Sequence, residues 1–166
     1  MYYENVFRTL QKSNIRYAVA GGVALVLHGV VRFTADLDLI VDLEPENLKR
    51  FIQAMNELGY RPRNPVKAEG LLDPATRAQW QREKGMEVFS FIDPVQPMTL
   101  IDVFLEEKIP FREVMNDLVP VTAKGITISV VSLPHLKALK KAAGRPQDLA
   151  DIEAIEEMEK SERKAR

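Results

Sequence analysis

The sequence has no cysteine, which removes disulfide frameworks, thiolate zinc sites and cysteine nucleophiles together and suits a reducing compartment. Neither sign of charge is in excess. Its 23 Lys and Arg stand against 24 Asp and Glu, for a net charge of -1, unlike the strongly basic balance of a dedicated nucleic-acid-binding domain. No apolar run approaches the roughly 18 residues of a membrane span. The opening Met1-Tyr2-Tyr3-Glu4-Asn5 lacks the basic start and apolar core of a signal peptide. Internal repeats and low-complexity tracts are also absent. These absences lead us to expect a cytoplasmic protein.

What is present is an ordinary globular composition, with 46% hydrophobic and 28% charged residues in 166. That is enough apolar material for a real core without a structural metal. We expect one domain over residues 1–166, with a core at about 15–131 and a helical C-terminal part at about 132–160.

Tyr3, Val6, Phe7 and Leu10 recur at helical spacing, which predicts a helix over residues 2–12. Ile15, Tyr17 and Val19 alternate as in a strand that ends at Gly21-Gly22, where a tight turn or a close backbone approach is expected. Val23 to His28 reads as a short helix stopped by Gly29. A second strand spans Asp36 to Val41. Pro45 then opens a helix whose Leu48, Phe51, Ile52, Met55 and Leu58 form one apolar face.

Residues 61–70 read as loop. Asp73-Pro74 starts a helix to about Lys84 that carries Trp80. Strands follow at Met86 to Ile92 and Met98 to Leu105, then a short helix from Pro110 to Leu118. Val119 to Ala123 and Ile126 to Val131 flank Lys124-Gly125 as a hairpin or paired edge strands. Helices open at Pro134 and Pro146, and the charged tail from Glu156 is expected to fray.

The residues that carry chemistry begin with Asp36 and Asp38. On a strand, i and i+2 share a face, so two carboxylates stand side by side while Leu37, Leu39 and Val41 face the core. Such a pair repels by roughly 4 kcal/mol at an effective dielectric near 20. It escapes by protonating one member or by binding a cation, and a hard ion such as Mg²⁺ prefers oxygen ligands. Solvation at a strand start is the plain alternative. A third carboxylate, Asp102, lies inside the apolar strand Thr99-Leu100-Ile101-Asp102-Val103-Phe104-Leu105, where an unpaired charge is costly and requires a partner. The Gly21-Gly22 turn precedes a helix, and backbone amides there suit phosphate oxygens. Three carboxylates beside a phosphate-cradling turn suit two-metal nucleotidyl or phosphoryl chemistry.

Gly21-Gly22, Arg32-x-Thr34-x-Asp36-x-Asp38 and the later Asp102 resemble the nucleotidyltransferase superfamily with the polymerase-β-like fold. His28-Gly29 between them, and the ending Leu139-Lys140-x-x-x-Gly144-Arg145-Pro146-x-Asp148-Leu149-x-Asp151-Ile152, resemble its small bacterial branch of AbiEii-type toxins. The resemblance implies an α+β fold, a mixed twisted sheet flanked by helices. It implies an enzyme that moves a nucleoside monophosphate from a nucleoside triphosphate to an acceptor, with Asp36, Asp38 and Asp102 as the catalytic and metal-holding carboxylates of a two-Mg²⁺ site. Gly21, Gly22, Arg32, Thr34 and Lys140 are the nucleotide-binding candidates. The partners implied are an RNA, tRNA, protein or small-molecule acceptor and an antitoxin protein. Many relatives carry Gly-Ser at the position of Gly21-Gly22, so one hydroxyl contact is lost and the backbone amides remain. The alternative is a catalytically idle module that binds a nucleotide or a partner within a toxin–antitoxin pair.

Other residues have structural readings beside functional ones. Arg32 could reach a triphosphate or simply balance Asp36 and Asp38, and His28 reads as a packed helix-end histidine. Lys137, Lys140 and Lys141 could be a solvated helix face, with Lys140 favoured for the triphosphate by the resemblance. Asp148 and Asp151 read as structural, one at a helix start, either bridged to Arg145 or Lys140. Arg61, Arg63, Lys67, Arg77 and Arg82 are candidates for a basic rim toward a nucleic-acid acceptor.

Overall fold

The computed structural model describes residues 2–166. Helix α1 (Glu4–Lys12) leads into strand β1 (Tyr17–Ala20), helix α2 (Gly21–Leu27) and strand β2 (Leu37–Val41). Helix α3 (Pro45–Glu57), the two-residue strand β3 (Arg61–Pro62) and helix α4 (Pro74–Lys84) precede β4 (Val88–Ile92) and β5 (Leu100–Phe104). Then come α5 (Phe111–Asn116), β6 (Val119–Ala123), β7 (Ile126–Val130), α6 (Leu133–Ala143) and α7 (Pro146–Lys164). The seven strands form one sheet in the order β3-β4-β5-β2-β1-β7-β6. It is mixed: β2 runs parallel to β5 and β1 parallel to β7, and the other pairs are antiparallel. The α+β expectation holds.

Alternation on the strands explains which face is packed. On β4 and β5, Phe89, Phe91, Ile101 and Val103 are buried, and Val88, Ser90, Ile92, Leu100, Asp102 and Phe104 on the other face are half-buried. The buried face meets α3 through Phe51, whose ring lies 5.8 Å from that of Phe91, and α4 through Trp80, 5.4 Å from Phe89. Val6, Phe7 and Leu10 of α1 join the same core. All four residues of β1 are buried.

The prolines and caps act where the sequence places them. Glu44 accepts from the Glu46 and Asn47 amides ahead of α3, Asp73 from the Ala75 amide ahead of α4, and Ser132 from the His135 amide ahead of α6. Gly144 closes α6 in the left-handed conformation. Asn47 is fully buried: its Oδ1 accepts from the Arg16 amide at 2.8 Å, and its Nδ2 donates to the carbonyls of Arg16 and Asp42. It pins the start of α3 to the ends of β1 and β2.

Three expectations are corrected. Residues 61–70 are not all loop, because Arg61–Pro62 pairs with the free edge of β4 and Ala68–Leu72 forms a 3-10 turn that buries Ala68 and Leu71. The tail does not fray from Glu156. Helix α7 continues to Lys164, held by buried Ile155 and by a Lys137–Glu159 ion pair at 3.1 Å to α6. The strand carrying the aspartates starts at Leu37, so Asp36 lies just ahead of β2. No helix among the described residues is long and apolar enough to cross a membrane.

Candidate active site

The sheet brings two of the carboxylates together by register. Asp38 of β2 pairs directly with Asp102 of the parallel neighbour β5, on the half-buried face. Asp36 stands two residues ahead of Asp38. Burial first, then the charges of Asp102 and Asp36, push the Asp38 carboxyl up to about 7, against the opposing pull of Lys140 and Arg145. Asp102 is also raised by burial, but a hydrogen bond donated by Ser90 Oγ to its Oδ1 at 2.6 Å lowers it, as does the charge of Arg63. The partner that Asp102 requires is therefore Ser90, directly across the ladder on β4.

Gly21-Gly22 is the start of α2 itself, and each glycine leaves room for a site side chain. Gly21 has φ +60°, and a Cβ there would meet Asp38 Oδ2 at 2.0 Å. A Cβ on Gly22 would lie 2.2 Å from Arg32 Nη1 and 2.6 Å from Thr34 Oγ1. A close backbone approach is thus the reason for both glycines, and they sit at a helix start with free amides.

Arg32 does not balance Asp36 and Asp38. Its Nε donates to Asp151 Oδ1 at 2.8 Å, because α7 folds back over the loop that carries it. Lys140 is buried, and its Nζ donates to Asp151 Oδ2 at 2.7 Å, with Asp148 Oδ1 at 3.8 Å. Arg145 Nε donates to Asp148 Oδ2 at 2.7 Å. Burial would raise Asp151, but hydrogen bonds from Lys140 and Gln147 and the charges of Lys140 and Arg32 outweigh it and hold the carboxyl low. Asp148 is held low in the same way, chiefly by Arg145. The structural reading of these two aspartates matches the geometry.

These elements enclose a cleft of about 430 Å³. It is lined by Gly21, Gly22, Arg32, Thr34, Asp36, Asp38, Asp102 and Lys140, the catalytic, metal-holding and nucleotide-binding candidates of the sequence, and by Phe33, Ala35, Arg145, Gln147 and Asp148. A larger groove of about 590 Å³ runs past Asn56, Tyr60, Arg61 and Lys67 and contains no carboxylate. His28 lies outside the cleft lining; its Nε2 is 2.7 Å from the Val131 carbonyl, as a packed helix-end residue. Arg77 leaves the basic rim too, since it turns inward to the Leu71 carbonyl.

Among the described residues, no three acidic or histidine side chains converge closely enough to form a complete metal cage. The donor set still fits Mg²⁺, which keeps several waters and binds through one or two carboxylates plus substrate phosphates. Burial first, and then the charges of Asp102 and Asp36, disfavour the ionised Asp38 carboxyl, a cost that a bound cation would offset.

Two residues of the site left little trace in the sequence. Ser90 is one hydroxyl in an apolar strand, and only its register with Asp102 gives it a role. Tyr3 is buried, and its hydroxyl donates to the carbonyl of Ala35, between Thr34 and Asp36. Its place on an amphipathic helix marked it only as core.

Residues 6–165 match the family model described as nucleotidyl transferase AbiEii toxin, type IV toxin–antitoxin system. Among solved structures, the chain is similar to the lincosamide antibiotic adenylyltransferase LnuA with lincomycin bound, at 14% identity and TM-score 0.59 over 91% of this chain and 92% of that one. It is similar to ANT(2'')-Ia in complex with adenylyl-2''-tobramycin, at 13% identity and TM-score 0.58 over 93% and 85%. An antigenic nucleotidyltransferase-like protein from Paracoccidioides brasiliensis shares 15% identity and TM-score 0.54 over 90% and 71%. At these identities the likeness is one of fold. A comparison with curated protein sequences finds no match.

Proposed function

The chain belongs to the AbiEii family of nucleotidyl transferase toxins, and on that premise we propose that it moves a nucleoside monophosphate from a nucleoside triphosphate to an acceptor hydroxyl. The observation that carries the proposal is the register of Asp38 beside Asp102, with the Asp38 carboxyl at about 7. In the transfer, the acceptor oxygen bonds to the α-phosphorus, the bond to the bridging oxygen breaks, and pyrophosphate leaves.

Asp36, Asp38 and Asp102 are the residues that would hold Mg²⁺. When bound, the metal supplies charge neutralisation at the phosphates and lowers the pKa of the acceptor hydroxyl. The chain's own groups do the rest. Asp102, oriented by Ser90, accepts the proton of the acceptor hydroxyl. The amides at Gly21 and Gly22 face the phosphate oxygens, and Thr34 adds a hydroxyl beside them. Arg32 and Lys140, fixed by Asp151, form a positive wall for the leaving pyrophosphate. In this reading the protein works in the cytoplasm as the toxin of a toxin–antitoxin pair, with an antitoxin protein as its partner.

The test is incubation with labelled nucleoside triphosphates, Mg²⁺ and three acceptor pools: tRNA, protein and aminoglycosides. Labelling by the wild type that is lost in Asp38→Ala supports the proposal. No labelling, together with no calorimetric binding of any nucleoside triphosphate, overturns it.

A further inference from the structure

The cleft accounts for the nucleotide half of the reaction and leaves the acceptor half open. Register continues past it. Ala20 pairs with Asp38, Asp38 with Asp102 and Asp102 with Ser90. The Arg63 amide then donates to the Ser90 carbonyl at 2.9 Å, which extends the row to the sheet edge. Because Arg61 pairs with Ile92 and Pro62 with Phe91, Pro62 lies on the core face, while Arg61 and Arg63 lie on the open face with Ser90 and Ile92.

The cations on the two sides of Asp102 differ in kind. On the nucleotide side, Arg32, Lys140 and Arg145 are each tied to Asp151 or Asp148. On the other side, Arg61 and Arg63 are exposed and have no ion-pair partner among the described residues. Two strand spacings separate Arg63 from Asp102, roughly 10 Å, which an arginine side chain spans in good part. The floor between them is half-buried sheet, with Ile92 and Leu100 beside Ser90.

We propose that this open half of the sheet is the acceptor platform, and that Arg63 binds an anionic group, a phosphate, carried by the acceptor close to its reacting hydroxyl. The inference rests on the nucleotidyl-transfer reading and names the acceptor's chemical class within it. A guanidinium matches a phosphate with two parallel hydrogen bonds. The same unpaired arginine repels the ammonium groups of a cationic acceptor. The Ser90 bond engages one oxygen of Asp102, Oδ1, on the side of the sheet that leads to Arg63.

The source of the phosphate is a polynucleotide end or a free nucleotide, and binding separates them. The full chain, with its nucleotide cleft saturated by a non-hydrolysable nucleoside triphosphate and Mg²⁺, is titrated with a short single-stranded RNA, with adenosine monophosphate and with tobramycin. In Arg63→Gln, affinity for the bound anion falls by roughly tenfold, the loss expected for a charged hydrogen bond. If the RNA is the ligand, the slope of log K against log salt shrinks by about 0.7 for one lost single-strand phosphate contact. Arg63→Lys recovers part of the affinity because it keeps the charge. Arg63-dependent binding of RNA alone assigns the polynucleotide, and equal dependence for adenosine monophosphate assigns the free nucleotide.

Unchanged anion affinity in Arg63→Gln overturns the proposal, as does tighter binding of tobramycin than of either anion. If the wild type transfers no label from nucleoside triphosphates yet binds anions through Arg63, the transfer reading fails and the anion site stands. Thermal melting of both variants confirms that the exposed position leaves the fold intact.

Discussion

Arg32 and Asp151 are 119 residues apart in sequence, yet Arg32 Nε donates to Asp151 Oδ1 at 2.8 Å. The other oxygen of the same carboxylate accepts from Lys140. One aspartate on the last helix thus fixes two of the three cations that line the cleft, Arg32 and Lys140, which makes α7 part of the candidate site.

Replacing Asp151 with Asn leaves a buried ammonium and a largely buried guanidinium without their anion. Breaking a buried ion pair by removing one partner costs about 3–5 kcal/mol. We expect Asp151→Asn to lose stability on that scale in urea denaturation, and to lose triphosphate binding even under conditions where it remains folded. Stability equal to the wild type would show that Arg32 and Lys140 need no shared partner.

Asp38 makes metal-free stability depend on pH in a defined direction. Burial and the neighbouring Asp102 and Asp36 push its carboxyl up to about 7 from the ordinary 3.8, so between those values the folded state holds a proton that the unfolded state has released. Stability from this group is therefore lost as pH rises from about 4 to about 7. Urea denaturation at intervals across that window, wild type minus Asp38→Asn, isolates the effect. Mg²⁺ should stabilise the wild type most above pH 7, where no proton has to be displaced, and should do little for Asp38→Asn. A wild-type difference that is flat across the window contradicts the burial of this carboxylate.

Gly22→Ser places a side chain where Arg32 Nη1 and Thr34 Oγ1 already are, at 2.2 and 2.6 Å from the new Cβ. Overpacking of this kind costs typically 1–3 kcal/mol. It should also dislodge Arg32 from Asp151, weakening triphosphate binding in calorimetry. Gly21→Ala should be worse, since its φ of +60° and the Asp38 carboxylate both oppose a Cβ. A Gly22→Ser protein with unchanged binding would mean that Arg32 has another rotamer equally suited to the site.

Ser90→Ala removes the hydroxyl that donates to Asp102 Oδ1. That bond favours the ionised carboxylate, so its loss raises the Asp102 pKa further. The acidic limb of kcat/KM against pH should move to higher pH, and stability should fall by only about 1 kcal/mol. A pH profile that stays in place would remove Asp102 from the proton-transfer step.

The elements with strong periodicity or punctuation were legible in the sequence. The α3 face from Leu48 to Met55, the β2 alternation and the Ser132 and Gly144 boundaries of α6 all rest on local rules. Those that depend on partners distant in sequence were not. Arg61–Pro62 is a strand only because β4 has an edge to pair with, and α7 outlasts its charged sequence because Ile155 and Glu159 find partners on other elements. Asn47 carries no local signal at all, since its three backbone partners come from Arg16 and Asp42.

The candidate site divides along the same line. By itself the sequence determined which residues to consider for chemistry: two aspartates one residue apart, a carboxylate inside an apolar strand and two glycines at a strand-to-helix turn. Those follow from strand period and from the cost of burying charge, both local. Tertiary structure alone decided that Asp38 and Asp102 stand side by side, that Ser90 is the partner of Asp102, and that Asp151 holds Arg32 and Lys140 together. Strand order, register and the return path of α7 arise from packing summed over the whole core, and no stretch of sequence encodes that sum.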